Sequence, residues 1–326
     1  MKRITIISFV EKFKFPLHEA LQKQIWWTAI KYKKLNYEVE IILFVKNQTN
    51  YIKNGITVKF IRKYLPFEVL CIKNDVLVIT NVVSYGLLLF YLLFRTKKLI
   101  LTDGSILTNS KFRKFISYLL PDCFKKIYVY SKYQKNEINF HNVYVISPIL
   151  PKITNTNIKA SSVIPSIFYM GHLTKVKGVD IILEAYEKIL LCGFKYKLIL
   201  ANNSVRGIDK NIKLQLDYLK EKYGELIILK GIVDPIKELS SASLYLYPFM
   251  NPLGTMSFPL SIYESIKCNT PYIANRIGAN REFFENKYLV EPNDSEKLKN
   301  KIIEILDDRE IKRNLQTRLY TLPDIY

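Results

Sequence analysis

A lysine and a glycine stand where a strand-like run turns into a helix-like run in the second half of the chain. The run SIFYMG is short and apolar, as a buried strand is, and GVDIILEAYEKILL has the apolar spacing of an amphipathic helix. Lys177 and Gly178 open that helix. The N–H groups and the dipole of a helix N-terminus favour an anion, and a lysine there adds a charge-assisted contact worth about 1.5–3 kcal/mol. The turn therefore predicts a phosphate-binding site, with an ordinary surface lysine as the alternative interpretation.

A glutamate lies inside the helix-like run LSIYESIKC. This residue, Glu264, follows the loop Ser-Phe-Pro-Leu at 257–260, which comes after the strand-like run LYLYPF. Its carboxylate either faces a ligand held at that loop or lies on the exposed face of an amphipathic helix. The loop directly before the helix favours the first interpretation.

Strand-like and helix-like runs alternate along both halves of the chain, which predicts parallel sheets covered by helices. A segment rich in Pro, Asn, Ser and Thr, 151–165, separates the two halves and predicts a linker. We therefore predict an α/β fold of two Rossmann-like domains, 1–150 and 166–326. Two such domains joined by one linker are expected to face a central cleft that holds the ligand.

The segment 168–282 resembles the donor domain of retaining glycosyltransferases of the GT-B fold, family-four (group 1) type. That family carries a Gly-Arg-Leu…Lys-Gly turn, in which the arginine and the lysine bind the diphosphate of the sugar donor. Here the turn reads Gly-His-Leu…Lys-Gly, so that Lys177 matches the lysine and His172 stands in the place of the arginine. A histidine can still donate a hydrogen bond, although its charge depends on pH, and we expect Lys175 to share the contact.

The second hallmark of that family is a pair of glutamates seven residues apart around a loop whose N–H groups meet the donor phosphates. Glu264 matches the second glutamate, and the resemblance implies that it accepts hydrogen bonds from the donor ribose. Met256 stands at the position of the first glutamate, where its thioether is a poor acceptor. We expect Ser257 to substitute for it in part.

The resemblance places further residues at the donor. The loop Phe258, Pro259 and Leu260 enters the helix of Glu264, and Gly231 follows a strand in a turn that lets the nucleotide base stack near the backbone. Glu282 stands at the family's acidic position near the end of the matched segment. A glycine after a strand is common, so the turn at Gly231 is the weaker of these matches.

The first half matches the family mainly in layout. Relatives have a glycine pair after the first strand, whereas this chain has FVEKFKFPLHEA, with Lys12, Lys14 and His18 as its polar candidates. Asp103 follows the strand-like run KLILT, where the family often has a histidine near the reacting sugar. Asp103 could contact a sugar hydroxyl or orient an acceptor; an aspartate in a tight Asp-Gly turn is the alternative.

The resemblance implies a glycosyltransferase that moves a sugar from a UDP- or GDP-type nucleotide sugar to an acceptor, with retention and without metal or cofactor. Lys177, Glu264 and Asp103 are then the expected catalytic residues. The expected donor-binding residues are His172, Lys175, Gly231, Ser257, Phe258, Pro259, Leu260 and Glu282. Two alternatives are a nucleotide-sugar epimerase or hydrolase of the same fold, and a non-catalytic binder of nucleic acid or membranes with a degenerate donor site.

The positive charge is concentrated in the first half. Residues 1–150 contain 24 Lys and Arg against 9 Asp and Glu, whereas the rest contains 25 against 20. A basic surface suits an anionic partner, so we expect a lipid-linked or polymeric acceptor on this half and consider nucleic acid less favoured. A solvated lysine-rich face is the alternative. We predict a cytoplasmic protein, with peripheral attachment to the inner face of a membrane as an extension of the charge argument.

Several classes of protein are disfavoured by the sequence. There is no Gly-x-Gly-x-x-Gly for a dinucleotide dehydrogenase, no P-loop for an ATPase, and no Asp-x-Asp for a metal-dependent GT-A enzyme. The four cysteines are far apart and the three histidines are scattered, which disfavours a zinc site. The uncharged run 76–94 is just long enough to span a membrane, but polar residues interrupt it, and we interpret it as a buried strand followed by a short helix.

Overall fold

The protein is described by a computed structural model. The residues that it describes are 2–8, 13, 15, 17, 20–45, 49–61, 76–80, 99–102, 124–138, 141–146, 164–202, 207–250 and 258–307. The chain divides into two compact units. The first comprises Met1–Pro151 with the segments Met256–Phe258 and Leu322–Tyr326, and the second comprises Lys152–Thr255 with Pro259–Thr321.

The first unit contains an eight-stranded sheet in the order β3-β4-β2-β1-β5-β6-β7-β8. All neighbouring strands are parallel except β3 and β4, which form an antiparallel hairpin at the edge. The strands are β1 Arg3–Ser8, β2 Glu38–Phe44, β3 Tyr51–Lys53, β4 Ile56–Ile61, β5 Val76–Thr80, β6 Leu99–Thr102, β7 Phe124–Val129 and β8 Val143–Val145. Its described helices are α1 Ala20–Lys34 and α2 Lys132–Glu137.

The second unit contains a fully parallel six-stranded sheet in the order β11-β10-β9-β12-β13-β14. Its strands are β9 Ser166–Met170, β10 Lys197–Ala201, β11 Ile227–Lys230, β12 Leu244–Tyr247, β13 Tyr272–Asn275 and β14 Leu289–Val290. Its helices are α3 Val179–Leu191, α4 Lys210–Tyr223, α5 Pro235–Ser241, α6 Leu260–Lys267, α7 Asn280–Phe283 and α8 Ser295–Asp307.

The strand order of the second unit reverses between β9 and β12. Chain connections run outward in opposite directions from these two central strands, as in a doubly wound Rossmann sheet, and leave a crevice beyond their carboxyl ends. The loops that follow β9 and β12 meet at this crevice. Any ligand of this sheet is expected there.

Local sequence explains where the elements of the second unit lie. Ile167, Phe168 and Tyr169 of β9 are fully buried, as expected for a strand covered on both faces. Helix α8 begins after Asp294, whose side chain accepts a hydrogen bond from the backbone N–H of Lys297 at 2.9 Å. Asp294 is therefore the N-cap of α8.

The strands and helices named from the sequence are confirmed wherever the described residues cover them. The hairpin strand β3, the short strand β14 and the short helices α5 and α7 were not predicted. The linker predicted at 151–165 lies outside the described residues except for 164–165. Of the uncharged run 76–94, residues 76–80 form β5 as predicted, and residues 81–94 fall outside the described part.

No helix among the described residues is long and apolar enough to cross a membrane. Two of the four cysteines are described, and both are free thiols: Cys268 is buried, whereas Cys192 is exposed at the end of α3.

Candidate functional site

The turn after β9 leads into α3 through a tight and well-bonded segment. The Gly171 N–H donates to the carbonyl of Ala201 at 3.0 Å, and the Tyr169 hydroxyl donates to the carbonyl of His172 at 2.9 Å. A single 3₁₀ turn covers Lys175–Lys177, and Gly178 links it to the helix. These contacts fix the path of the backbone that carries His172 and the two lysines.

Gly178 is required at its position for two reasons. Its φ is +72°, in the left-handed region that side chains disfavour, and a Cβ there would lie 2.0 Å from the carbonyl oxygen of Pro248. Pro248 follows β12, so the turn after β9 and the loop after β12 are in direct contact at the switch point. The Met250 N–H, which donates to the carbonyl of Val176 at 3.3 Å, joins them a second time.

The side chain of Lys177 lies on an aromatic ring that this contact brings to it. Its Nζ is 4.0 Å from the ring centroid of Phe249, within the range of a cation–π interaction. Burial lowers the pKa of Lys177 from 10.5 to about 8, because the ammonium form loses hydration. Lys175, two residues earlier, is exposed. Lys177 is therefore half-buried and held against an aromatic ring, and its role in binding phosphate stays a prediction.

The loop that carries Phe249 is in turn held from β13. Asn275 ends this strand and donates its side-chain N–H to the Phe249 carbonyl at 2.9 Å, while the side chain of Asn280 donates to the Asn275 carbonyl at 2.9 Å. Phe249, Asn275 and Asn280 were not predicted from the sequence as site residues. A polar asparagine at the end of the apolar run PYIAN is the signal that could have identified Asn275.

Glu264 is buried within α6, with an exposed fraction of 4%. The alternative that it lies on the exposed face of an amphipathic helix is therefore wrong. Burial raises the pKa of the Tyr245 hydroxyl on β12, and the negative charge of Glu264 raises it further. The carboxylate thus lies on the side of α6 that faces the sheet, where a buried charge needs polar partners.

The other predicted donor residues share the carboxyl edge of the same sheet, because they follow parallel strands. Gly231 follows β11 and is exposed, Glu282 lies on α7 after β13, and Phe258, Pro259 and Leu260 are buried at the start of α6. The carbonyl of Pro259 accepts the N–H groups of Ile262 and Tyr263 and so starts the helix.

Several predicted residues lie outside the part of the chain that the structure describes. They are Asp103, Met256, Ser257, Lys12, Lys14 and His18. Among the described residues, no group of three or more His, Cys, Asp or Glu side chains is arranged to hold a metal ion. That transfer proceeds without metal or cofactor stays a prediction.

The family model described as "Glycosyl transferases group 1" matches residues 156–321 of this chain. The chain belongs to this family. The matched span contains the Lys177 turn, the switch point and Glu264, so the family expected from the sequence is confirmed.

A curated relative of this chain agrees with that assignment. An uncharacterized glycosyltransferase of Methanocaldococcus jannaschii is 27% identical over 220 residues, which cover 66% of this chain and 59% of the relative. The chain therefore spans about 59% of the length of this curated relative.

Solved structures share the fold of this chain at low sequence identity. Anabaena HepE, solved in complex with UDP and glucose, superposes with a TM-score of 0.75 at 15% sequence identity. The superposed part comprises 96% of this chain and 93% of the HepE chain. A glycosyltransferase from Rickettsia africae superposes with a TM-score of 0.71 at 17% sequence identity, over 97% of this chain and 92% of the Rickettsia chain. The predicted α/β fold with parallel sheets of the GT-B type is confirmed.

Proposed function

We propose that the protein transfers a sugar from a nucleoside-diphosphate sugar, of the UDP or GDP type, to an acceptor hydroxyl. The observation that carries the proposal is the position of Lys177 at the switch point, where a half-buried ammonium group lies against the Phe249 ring beside a helix N-terminus. A diphosphate would offset the desolvation of that ammonium and gain a charge-assisted contact. The complexes of HepE with UDP and UDP-glucose favour uridine as the first donor to test.

The proposed roles follow the positions of the residues at the sheet edge. Lys177, with His172, Lys175 and the first N–H groups of α6, neutralises the diphosphate as it leaves. Glu264 accepts hydrogen bonds from the ribose hydroxyls of the donor. Asp103, which lies outside the described residues, contacts the sugar or orients the acceptor.

In the proposed reaction, the bond between the anomeric carbon and the diphosphate oxygen breaks. The acceptor oxygen bonds to the same face of that carbon, which retains the configuration, and the hydroxyl proton leaves with the diphosphate. Developing negative charge on the diphosphate makes Lys177 more important in the transition state than in the ground state. We propose that this lysine and the backbone dipoles supply the charge neutralisation without metal.

We propose that the basic first half binds the acceptor and that this acceptor is lipid-linked or polymeric. The excess of Lys and Arg in residues 1–150 supports an anionic partner. The same charge supports a cytoplasmic protein that attaches peripherally to anionic lipid.

The proposal is tested first by ligand-observed NMR of the purified protein with UDP, GDP and ADP and their common sugar conjugates. We expect one diphosphate to bind and its sugar conjugate to be consumed. Product analysis with and without an acceptor then separates transfer from hydrolysis and epimerisation. A folded protein that binds no member of the panel at millimolar concentration would refute the proposed donor site.

The affinity for UDP is expected to fall as the pH rises above about 8. Lys177 in the free protein loses its proton near this pH, and only the ammonium form attracts the diphosphate. Because the bound diphosphate holds the proton more tightly, each further pH unit should cost up to about tenfold in affinity until the pKa of the complex is reached. Titration calorimetry from pH 7.5 to 9, over which the charge of the diphosphate itself changes little, measures the effect.

The Lys177→Arg variant is the control for this pH dependence. Arginine stays charged throughout the range, so any remaining fall in affinity belongs to another group. A flat profile in the wild-type protein would contradict the assignment of Lys177 to the diphosphate.

Replacing Gly231 with alanine is expected to weaken UDP binding about tenfold while leaving the melting temperature unchanged. A Cβ at Gly231 would meet nothing within 4 Å in the protein itself, so the fold tolerates it. If the nucleotide base stacks close to this backbone, the added methyl group disturbs that contact, and crowding of this kind costs about 1–3 kcal/mol. Calorimetric titration with UDP and a thermal melt together measure the two effects. An unchanged affinity would mean that the nucleotide base does not stack near Gly231.

A further inference from the structure

A buried asparagine closes the switch point from a third strand. Asn275 is the last residue of β13 and has an exposed fraction of 3%, whereas the other residues of the strand are buried and apolar or aromatic. A primary amide in such surroundings is costly unless it is hydrogen-bonded. Its position is therefore best explained by what its amide holds.

The Asn275 amide holds the backbone of the loop after β12. Its Nδ2 donates to the Phe249 carbonyl at 2.9 Å, and the backbone carbonyl of Asn275 accepts from Nδ2 of Asn280 at 2.9 Å. Asn280 opens α7 and is 7% exposed. Through these two hydrogen bonds, the buried side chains of Asn280 and Asn275 link α7 to the end of β13 and the end of β13 to the Phe249 loop.

Phe249, which Asn275 holds in place, is in direct contact with Lys177. Its ring lies 4.0 Å from the lysine Nζ, and the next residue, Met250, donates its N–H to the Val176 carbonyl at 3.3 Å. The ring also packs on Tyr247, with centroids 4.2 Å apart. The Phe249 loop and the Lys177 turn are thus in contact through the aromatic ring and through one backbone hydrogen bond. Asn275 holds the same loop from β13.

We infer that Asn275 is a positioning residue, which fixes the Phe249 ring against Lys177 and so holds the ammonium group at the place where the diphosphate binds. That the diphosphate binds at this ammonium group rests on the proposed function, whereas the restraint on Lys177 does not. Without the Asn275 amide, the Phe249 loop can move away from the lysine. The ammonium group then gains hydration and loses its defined position.

The titration of Lys177 in the ligand-free protein tests the restraint directly. It is followed by NMR of ¹³C-labelled lysine side chains, with the Lys177 signal assigned from its absence in Lys177→Arg. In Asn275→Ala we expect the pKa of Lys177 to rise from about 8 towards 10.5, because the group becomes better hydrated. The affinity for UDP should fall about 3- to 10-fold, as for the loss of one hydrogen bond.

Thr270→Val is the matched control for loss of a buried hydrogen bond. The Thr270 hydroxyl is also buried and donates to a distant backbone carbonyl, that of Leu239, at 2.5 Å, but it precedes β13 at the opposite end of the strand. The control should lower the melting temperature without moving the Lys177 titration. If Asn275→Ala does not fold, Asn275→Thr keeps a strand-compatible side chain that is too short to hold the Phe249 carbonyl.

The outcomes separate this inference from the proposed function. A Lys177 titration that is unchanged in the folded Asn275 variants would overturn the positioning role, even where the wild-type protein binds UDP. A raised Lys177 pKa in a protein that binds no nucleoside diphosphate would support the restraint and refute the proposed donor site. A shift in Thr270→Val equal to that in Asn275→Ala would reduce the effect to general destabilisation and would also overturn the role.

Discussion

Replacing Lys177 with methionine is expected to lower the affinity for UDP about 10- to 150-fold without lowering the melting temperature of the free protein. The affinity falls because a charge-assisted contact to phosphate is worth about 1.5–3 kcal/mol. The stability does not fall because burial already disfavours the ammonium form in the folded protein. Methionine keeps a long apolar side chain on the Phe249 ring and removes that cost. Calorimetric titration with UDP and thermal melts at pH 7 measure both quantities.

The stability difference should itself depend on pH. Lys177 has a lower pKa in the folded protein than its ordinary 10.5, so the unfolded chain binds more protons between about pH 8 and 10.5. The cost of burying the ammonium is therefore fully present below pH 8 and is relieved as the pH rises through that window. Methionine should stabilise the protein most at neutral pH and least near pH 10.5.

Lys175→Met is the matched control for charge. It removes the same charge from the same turn, but Lys175 is exposed, so its share of the diphosphate contact should be the smaller one, about 0–1 kcal/mol. An equal loss of affinity in the two variants would mean that the turn acts through its overall charge. An undiminished affinity in Lys177→Met would remove Lys177 from the proposed diphosphate site.

Much of the architecture could be predicted from the sequence because the apolar patterns are local. A run such as KLILA can be identified as a buried strand from its own composition, and GVDIILEAYEKILL as a helix from its own periodicity. The cap at Asp294 follows from neighbouring residues. The hairpin strand Tyr51–Lys53 was missed because it is short and mostly exposed, which leaves little apolar pattern.

The contacts that build the site could not be predicted in the same way, because they join loops that are distant in sequence. The ring of Phe249 reaches Lys177 only because β9 and β12 are neighbours at the reversal of strand order. The bond from Asn275 to the Phe249 carbonyl adds a third loop. Sequence spacing shows that a lysine opens a helix, but only the topology shows which aromatic ring and which carbonyl lie against it.

Met256 stands where the family pattern has a glutamate. A thioether cannot replace the hydrogen bonds of a carboxylate to a sugar, so this part of the pattern does not carry over to the chain. Met256 and Ser257 lie outside the described residues, so their contribution stays a prediction. The contacts described for the Lys177 turn come from Ala201, Pro248, Phe249 and Met250, so diphosphate binding tests the described part of the donor site more directly than sugar transfer does.

Replacing Gly178 with alanine is expected to lower the free energy of unfolding by about 3 kcal/mol or more and to abolish tight UDP binding. A left-handed backbone costs a non-glycine residue about 1–2 kcal/mol. The Cβ would also lie 2.0 Å from the Pro248 carbonyl oxygen, a distance that no atom pair tolerates. The turn or the loop after β12 must therefore move, and Lys177 moves with it. Urea denaturation and titration with UDP measure the two effects.

Gly193→Ala separates backbone strain from the close contact. Gly193 has a φ of +88°, but a Cβ there would meet nothing within 4 Å, so this variant should lose only the 1–2 kcal/mol of backbone strain and keep its affinity for UDP. The difference between the two variants then measures the contact of the Lys177 turn with the loop after β12. Equal losses of stability would mean that the contact between Gly178 and Pro248 does not exist in solution. The support that Phe249 gives to Lys177 would then be refuted as well.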